Sequence, residues 1–567
     1  MSPKAAPRST RKPPAKKASA KKAPSRRMTA PAKGVKVRMY RTGLGDCFLL
    51  AFPKGRSRKD AFYLMIDCGV YFRTPEPGNV TRIRQIVGDI RDATGGRIDV
   101  LAVTHEHWDH VSGFHSTQAQ EIFEKEIELG ELWMAWTEDL RISLARDLHE
   151  GRVAARAALR QALTRMQGLG AQSTTAELVG KMLDFFGGSL EGSEAAAGLG
   201  MGAAGGGGSV FGAKKSVQTE EAMTWLRDAY GKDRTRFLEP GESPVALAGV
   251  SGVRVYVLGP PEDPVLIKRS DPTGDEVFPK AMAAAVEASF FAACGVMPGR
   301  PEATPSDDDL QEALSMSIPF DIVYQIPFAD VQKATPAAVE EPSGPAADPH
   351  FQRYFAAENA WRRIDGDWLE AAAEFALQLD NATNNTSLAL AFEVGPPGEG
   401  KVLLFPGDAQ VGNWRSWFGK VKLGQRELGK DMVWKAGSHD VTAEDLLRRT
   451  VLYKVGHHGS HNATLRQQGL ELMGRSDGTS ELVAFLPVDE HVARELAHYG
   501  EMPLRSLIKE LAIRTGGRIV RNDEGAQPKD AESTLAPIEG APPIRPSKSF
   551  LDASTELYFE YTVAPPD

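Results

Sequence analysis

The run His105-Glu106-His107-Trp108-Asp109-His110 packs three imidazoles and two carboxylates into six residues. On an extended segment side chains alternate, so His105 and His107 project to one side and can share a cation. Asp109 and His110 are adjacent and diverge, which lets them reach a second ion nearby. Two later segments carry the same chemistry. The apolar stretch Leu403–Phe405 runs into Pro406-Gly407-Asp408, and Val455-Gly456 leads into His457-His458-Gly459-Ser460-His461. A carboxylate at a strand tip can bridge two cations with its two oxygens. Imidazole and carboxylate together suit one or two Zn²⁺ ions, and also Mn²⁺ or Fe. Water bound to such an ion loses its proton near neutral pH, to a pKa of about 7 on zinc. The implied chemistry is attack of hydroxide on phosphorus or on a carbonyl carbon, with Asp109 and Asp408 as candidate catalytic carboxylates.

Each segment also has a plainer explanation. A glycine-aspartate pair after a strand is often a simple turn, and histidine clusters occur on solvated loops. Three such segments, each following an apolar strand, favour a metal site built from His105, His107, Asp109, His110, Asp408 and one of His457 or His458. Asp67 and Glu106 read as groups that orient imidazoles from behind, with Asp67 alternatively a turn residue. Ser460, His461, Asn462 and Thr464 could contact a substrate or be ordinary loop residues. Cys47 and Cys68 have no metal-like spacing and read as small buried groups.

The elements that must hold these groups are visible in the apolar pattern. Val35 to Met39 alternates into the turn at Thr42–Asp46, and Cys47–Phe52 and Ala61–Ile66 form a hairpin pattern. Residues 80–93 have the period of an amphipathic helix, with Ile83, Ile86, Val87 and Ile90 on one face. Asp99–Val103 is a short strand feeding directly into the histidine run, so the run sits at a strand-to-loop edge. Segments near 141–166 and 174–186 are alanine-rich and helical. Residues 192–212 are glycine- and alanine-rich and read as a flexible loop. A strand pair follows at Val245–Leu247 and Val253–Leu258, and 299–349 accumulates Pro, Ala and acidic residues. Trp361–Leu379 has helical period. Strands return at Ser387–Val394, Val402–Phe405, Val451–Val455 and Leu482–Leu486, followed by a helix at Leu504–Thr515 and a strand at Leu557–Val563. No internal repeat is visible.

At 567 residues, 42% hydrophobic and 25% charged, the chain has the composition of a globular protein with one large fold or two domains. It has no apolar run of the roughly 20 residues needed to span a bilayer, and no secretory signal pattern. Three scattered cysteines exclude a disulfide framework and favour a reducing, cytoplasmic location. Charge is unevenly placed. Residues 1–34 hold eleven Lys or Arg and no acid, so with −8 for the whole chain residues 35–567 carry −19. The tail has almost nothing apolar to bury and is expected to be disordered. It could touch nucleic acid through charge alone, or simply aid solubility.

These segments together resemble the metallo-β-lactamase superfamily. Within it the likeness is to the soluble hydrolase domain of bacterial competence (DNA-uptake) proteins and to phosphorylcholine-esterase-like relatives. It rests on Gly43–Cys47, Ile66–Gly69, Thr104–His110, Val257–Pro261, Asn384–Leu388, Gly407–Ala409 and Lys454–Ser460. The resemblance implies an α/β fold, a four-layer αββα sandwich of two sheets with helices outside and metal at the sheet edges. It implies a core at 35–115 and 376–567 and a large, partly helical insertion at 116–375. It also implies that His105, His107, Asp109, His110, Asp408 and one of His457 or His458 are ligands. One departure stands out. The superfamily usually has a further histidine between the first motif and the bridging aspartate, and here Asn384 and Asn385 occupy that segment. His115, His149 and His350 are the other histidines in the interval, none at an obvious strand end. The first metal position would then use fewer ligands or recruit Asn384 or Asp380.

The nearest-looking relatives imply hydrolysis of a phosphodiester, in nucleic acid or a small molecule. The basic tail favours nucleic acid and the acidic remainder disfavours it. The same metal-bound hydroxide serves a lactam, lactone or thioester, with pocket shape deciding. A non-catalytic interaction protein that keeps the fold is the alternative from another class, although such a role places no demand on the ligand residues.

Overall fold

The computed structural model describes residues 27–55, 61–71, 79–168, 174–186, 218–269, 368–423, 426–430, 432–477, 479–496, 502–524 and 537–566. The expectations for 1–26, 192–212 and 299–349, and for His350 and Cys294, lie outside these residues. The basic tail read as 1–34 is described only at its end. There Met28 and Ala30 are buried, and the Met28 N–H donates to Ala93 O, so from Met28 onward the chain is bound to the fold.

Two mixed sheets account for most of the strands. Val35–Tyr40 (β1), Phe48–Pro53 (β2), Ala61–Ile66 (β3), Arg97–Ala102 (β4), Glu128–Ala135 (β5) and Thr235–Leu238 (β6) join Ala553–Ser554 (β13) and Tyr558–Val563 (β14) in an eight-stranded sheet of order β13-β14-β1-β2-β3-β4-β5-β6. Val253–Gly259 (β7), Ala389–Val394 (β8), Lys401–Phe405 (β9), Thr450–Lys454 (β10), Val483–Leu486 (β11) and Ile519–Arg521 (β12) form a six-stranded sheet of order β12-β11-β10-β9-β8-β7. Two short ribbons pair Val421–Leu423 with Arg426–Leu428 and Val433–Ala436 with His439–Thr442. The chain is thus α/β in class. Three of the strands, β5, β6 and β7, fall within the span 116–375 and belong to the two large sheets.

The period of two in each strand explains how the sheets pack. In β2, Phe48, Leu50 and Phe52 enter one apolar cluster with Leu403 and Phe405 of β9 and Phe392 of β8, so this cluster lies between the sheets. Phe48 meets Phe405 edge-on with ring centroids 5.4 Å apart. The alternate residues Leu49 and Ala51 face outward, where they join Ile83, Ile86, Val87 and Ile90 of the helix Asn79–Thr94 (α1). On the six-stranded sheet, Val402 and Leu404 face outward toward a third cluster. That cluster includes residues of Ser143–Gly168 (α2), Thr174–Asp184 (α3), Trp368–Asn384 (α5) and Arg505–Thr515 (α6). A further helix, Gln218–Tyr230 (α4), packs on the α1 side through Ala222, Met223 and Leu226. With both faces covered, the central strands read as nearly unbroken apolar runs.

Strand direction delivers the polar groups to one place. β3 and β4 run parallel, as do β9, β10 and β11. Their carboxyl ends lead into Asp67, Thr104–His110, Asp408 and His457-His458. β8 is antiparallel to β9, so its amino end, preceded by Ser387, arrives at the same edge.

Candidate metal centre

One ligand atom from each of Asp109, His110, Asp408 and His458 lies within 4.8 Å of the other three. Residues from three stretches of the chain, up to 349 positions apart, therefore meet at one point, and all four are buried. His110 Nε2 is 3.1 Å from Asp408 Oδ2 and 3.8 Å from Asp109 Oδ2. His458 Nε2 is 2.7 Å from Asp109 Oδ2. His105 and His107 complete the near side: His105 Nε2 is 3.0 Å from His107 Nδ1, and the His105 and His110 rings are 4.2 Å apart between centroids.

The backbone is bent to achieve this. Among the described residues, the non-glycine positions with left-handed backbone are Asp67, His457 and His458, with φ of 54°, 41° and 52°. Non-glycine residues in this region cost of order 1–3 kcal/mol each and persist where surrounding structure holds them. All three sit at strand tips of this cluster. Gly69 shows why Asp67-Cys68-Gly69 needs its glycine: a Cβ there would lie 2.0 Å from the Asp109 carbonyl carbon. Gly407, at φ 59°, places Asp408 beyond β9 where any Cβ would press on Thr104 and Ser387.

Each carboxylate has a distinct environment. Asp67 accepts from the Thr104 N–H at 2.8 Å and the Thr104 hydroxyl at 2.7 Å, and its Oδ2 lies 2.8 Å from His110 Nδ1. It orients His110 from behind, as the sequence suggests. Asp408 is different from the expectation that both its oxygens face cations. Its Oδ1 accepts from the Lys454 ammonium at 2.9 Å and the His457 N–H at 2.9 Å, which leaves Oδ2 toward the imidazoles. Lys454 also reaches Asp46 Oδ2 at 2.6 Å. Glu106 departs further from expectation. Alternation sends it to the opposite side from His105 and His107, where it pairs with Arg152 and Arg156 of α2, each at 2.8 Å. It ties α2 to the histidine loop through these ion pairs.

His457 and His458 now separate. His458 faces Asp109, whereas His457 Nδ1 lies 2.9 Å from Ser460 Oγ and 3.3 Å from Gln410 Nε2. His457 stands outside the four-residue group. Asn385 is tied to backbone on every side, donating to Ile267 O and Arg269 O and accepting from Gln410 N–H and Asn413 N–H, so it is no ligand. Asn384 donates to Asp380 Oδ2 at 3.1 Å. Ser460 and Asn462 are buried and bonded to each other, His461 is exposed, and Thr464 bonds to Tyr453. His115 pairs with Glu221, away from the cluster.

The electrostatics favour a bound cation. Asp46, Asp67, Asp109 and Asp408 surround the imidazoles and Lys454 is the ammonium among them. Burial would raise Asp109, yet His110 and His458 outweigh it and hold the carboxyl at about 2. Burial would lower His110, but Asp408, Asp46 and Asp109 hold it well above the ordinary histidine range. Burial pushes the His105 ring well below that range, with His110 and His107 adding. Burial, with Asp109 and Asp408, lifts the Asp380 carboxyl to about 8. Several buried polar atoms here have no hydrogen-bond partner: His107 Nε2, Asp109 Oδ1, Asp380 Oδ1, Asn384 Oδ1 and Gln410 Oε1. Buried polar groups are normally paired, and such a concentration of unpaired ones marks a place where an ion or substrate belongs. The donor set, imidazole with carboxylate, fits a borderline divalent cation.

The sequence alone gives no role to Lys454, Asp46, Thr104 and Ser387. Ser387 Oγ accepts from the Asp408 N–H at 3.0 Å and lies 3.3 Å from His105 Nδ1. A lysine closing the apolar run of β10 is the one available signal for Lys454. The site is closed on the α3 side by Phe185 and Phe186, whose rings lie 5.4 and 5.0 Å from that of His107. No family model matches the chain, and no curated protein or solved structure matches it.

Proposed function

We propose that the chain is a metal-dependent hydrolase of the metallo-β-lactamase kind, built as a four-layer αββα sandwich and acting on a phosphodiester. One observation carries the reading. Asp109, His110, Asp408 and His458 come from three distant stretches of chain and converge within 4.8 Å, buried and ringed by unpaired polar atoms. A structural or interaction role places no demand on such a set, and burying it without a ligand costs stability. Helices over the outer face of each large sheet are in keeping with the layered architecture. Among the described residues, no helix is long and apolar enough to cross a membrane.

When bound, zinc or a similar ion supplies a hydroxide near neutral pH and an electrophile for the developing oxyanion. The chain's own residues prepare that chemistry. Asp67 holds His110 Nδ1 and so leaves Nε2 directed into the site. Pro487 O, 3.0 Å from His458 Nδ1, does the same for His458. Lys454 and the His457 N–H occupy Asp408 Oδ1, which fixes that carboxylate and offsets part of the negative charge. Asp109 Oδ1 has no partner and is placed to accept a hydrogen bond from a nucleophilic water.

The test is hydrolysis of bis-p-nitrophenyl phosphate, DNA, nitrocefin and a thioester by purified protein, with and without added zinc or manganese. The expected result is metal-dependent turnover of the phosphodiester, lowered at least a hundredfold in Asp109→Asn, in line with the loss of one positioned catalytic group. Turnover of nitrocefin or the thioester alone would replace the substrate class. No metal uptake would remove the hydrolase reading.

A further inference from the structure

Three imidazoles at the centre, His105, His110 and His458, have one ring nitrogen turned inward and the other held from behind. For His110 the outer partner is Asp67, for His458 it is Pro487 O, and for His105 it is the hydroxyl pair of Thr104 at 3.0 Å and Ser387 at 3.3 Å. His107 is turned the other way round. Its Nδ1 faces His105 Nε2, and its Nε2 has no hydrogen-bond partner. The atom opposite is Asp380 Oδ1, 3.6 Å away, equally buried and equally unpaired. Asp380 lies on α5, outside every segment of the histidine and aspartate motifs.

We propose that Asp380 is the positioning residue for His107, holding the ring so that Nδ1 joins His105 Nε2 as a second cation position. This rests on the hydrolase reading above and extends it to a residue which the motif pattern does not assign. Two imidazole nitrogens 3.0 Å apart either share a proton or direct two lone pairs at a common ion. With an ion between them, both facing nitrogens are bare and the proton of His107 resides on Nε2. That N–H then needs an acceptor in a buried place, and Asp380 Oδ1 is the atom across from it, about half an ångström beyond ordinary hydrogen-bond length. Asp380 is itself held: its Oδ2 accepts from Asn384 Nδ2 one helical turn on, at 3.1 Å. The carboxyl group is thereby held by its own helix, α5. His107 is also walled by Phe185 and Phe186, which limit ring rotation and leave the carboxylate to choose the tautomer. A carboxylate behind a ligating imidazole commonly alters metal affinity 10- to 100-fold.

The experiment titrates zinc into metal-free wild type, Asp380→Asn and Asp380→Ala against a chromophoric chelator, and records the side-chain nitrogen NMR signals of His107 in the zinc-loaded proteins. Far-ultraviolet circular dichroism and thermal midpoint establish that each variant is folded. The expected result is two equivalents in wild type, with the tighter one unchanged in both variants and the weaker one lowered about 10- to 100-fold. His107 should carry its proton on Nε2 in wild type and lose that single tautomer in Asp380→Ala. Two equivalents of unchanged affinity in folded variants overturn the role of Asp380 and leave the hydrolase reading standing. A single equivalent in wild type, indifferent to Asp380, does the same. A wild type that takes up no zinc or manganese overturns both.

Discussion

Replacing Lys454 by methionine keeps most of the stem and removes the ammonium that sits between Asp46 and Asp408, at 2.6 and 2.9 Å. Breaking a buried charge network by deleting one partner costs about 3–5 kcal/mol, because the remaining charges are left without compensation. Lys454→Met is therefore expected to lower unfolding stability by about that amount in denaturant titration. A change below about 1 kcal/mol would show that Asp46 and Asp408 are neutralised some other way. The ligand-type residues themselves were legible because chemistry and spacing coincide in His105–His110, Gly407-Asp408 and His457-His458. Lys454, Ser387 and Thr104 were not. Their roles depend on which strand tips end up adjacent, and nothing local in Tyr453-Lys454-Val455 or Thr386-Ser387-Leu388 encodes that. Glu106 shows the converse. Its place in the motif suggested a role with the imidazoles, whereas the alternation that turns His105 and His107 inward turns Glu106 toward α2.

At the scale of elements, Glu106 fastens α2 to the histidine loop. Arg152 and Arg156, four residues apart, lie on one face of α2 and both reach the Glu106 carboxylate, while Arg152 also reaches Glu138 at 2.9 Å. Burial alone would raise Glu106, yet Arg152 and Arg156 hold it at about 2. Glu106→Gln leaves two buried guanidiniums short of an acceptor and is expected to destabilise the fold by about 3 kcal/mol. Zinc stoichiometry should be unchanged, since Glu106 spends its carboxylate on Arg152 and Arg156; loss of zinc in a folded variant would contradict this arrangement. The strands of the two sheets were legible wherever both faces are apolar, as in β2, β3, β8 and β9. β5 was missed because Glu128, Gly130 and Glu131 interrupt its first half, and only Leu132–Ala135 is buried. β6 is four residues with one fully buried, too short to leave a pattern. With those strands unseen, the span 116–375 looked like material outside the sheets.

For the whole molecule, parallel strand direction gathers the tips of β3, β4, β9 and β10 at one edge, where the amino end of β8 also arrives. Two sheets packed through Phe48, Phe405 and their neighbours hold those tips in fixed register, so the polar groups are placed by the core and not by flexible loops. Such preorganisation predicts that a cation binds without rearrangement of the sheets. The most direct measurement is anomalous diffraction from crystals grown with zinc. The account predicts a peak at about 2.0–2.2 Å from His110 Nε2, His458 Nε2, Asp109 Oδ2 and Asp408 Oδ2. A zinc-replete crystal with no peak among these four atoms, or with its peaks only elsewhere on the chain, would contradict it.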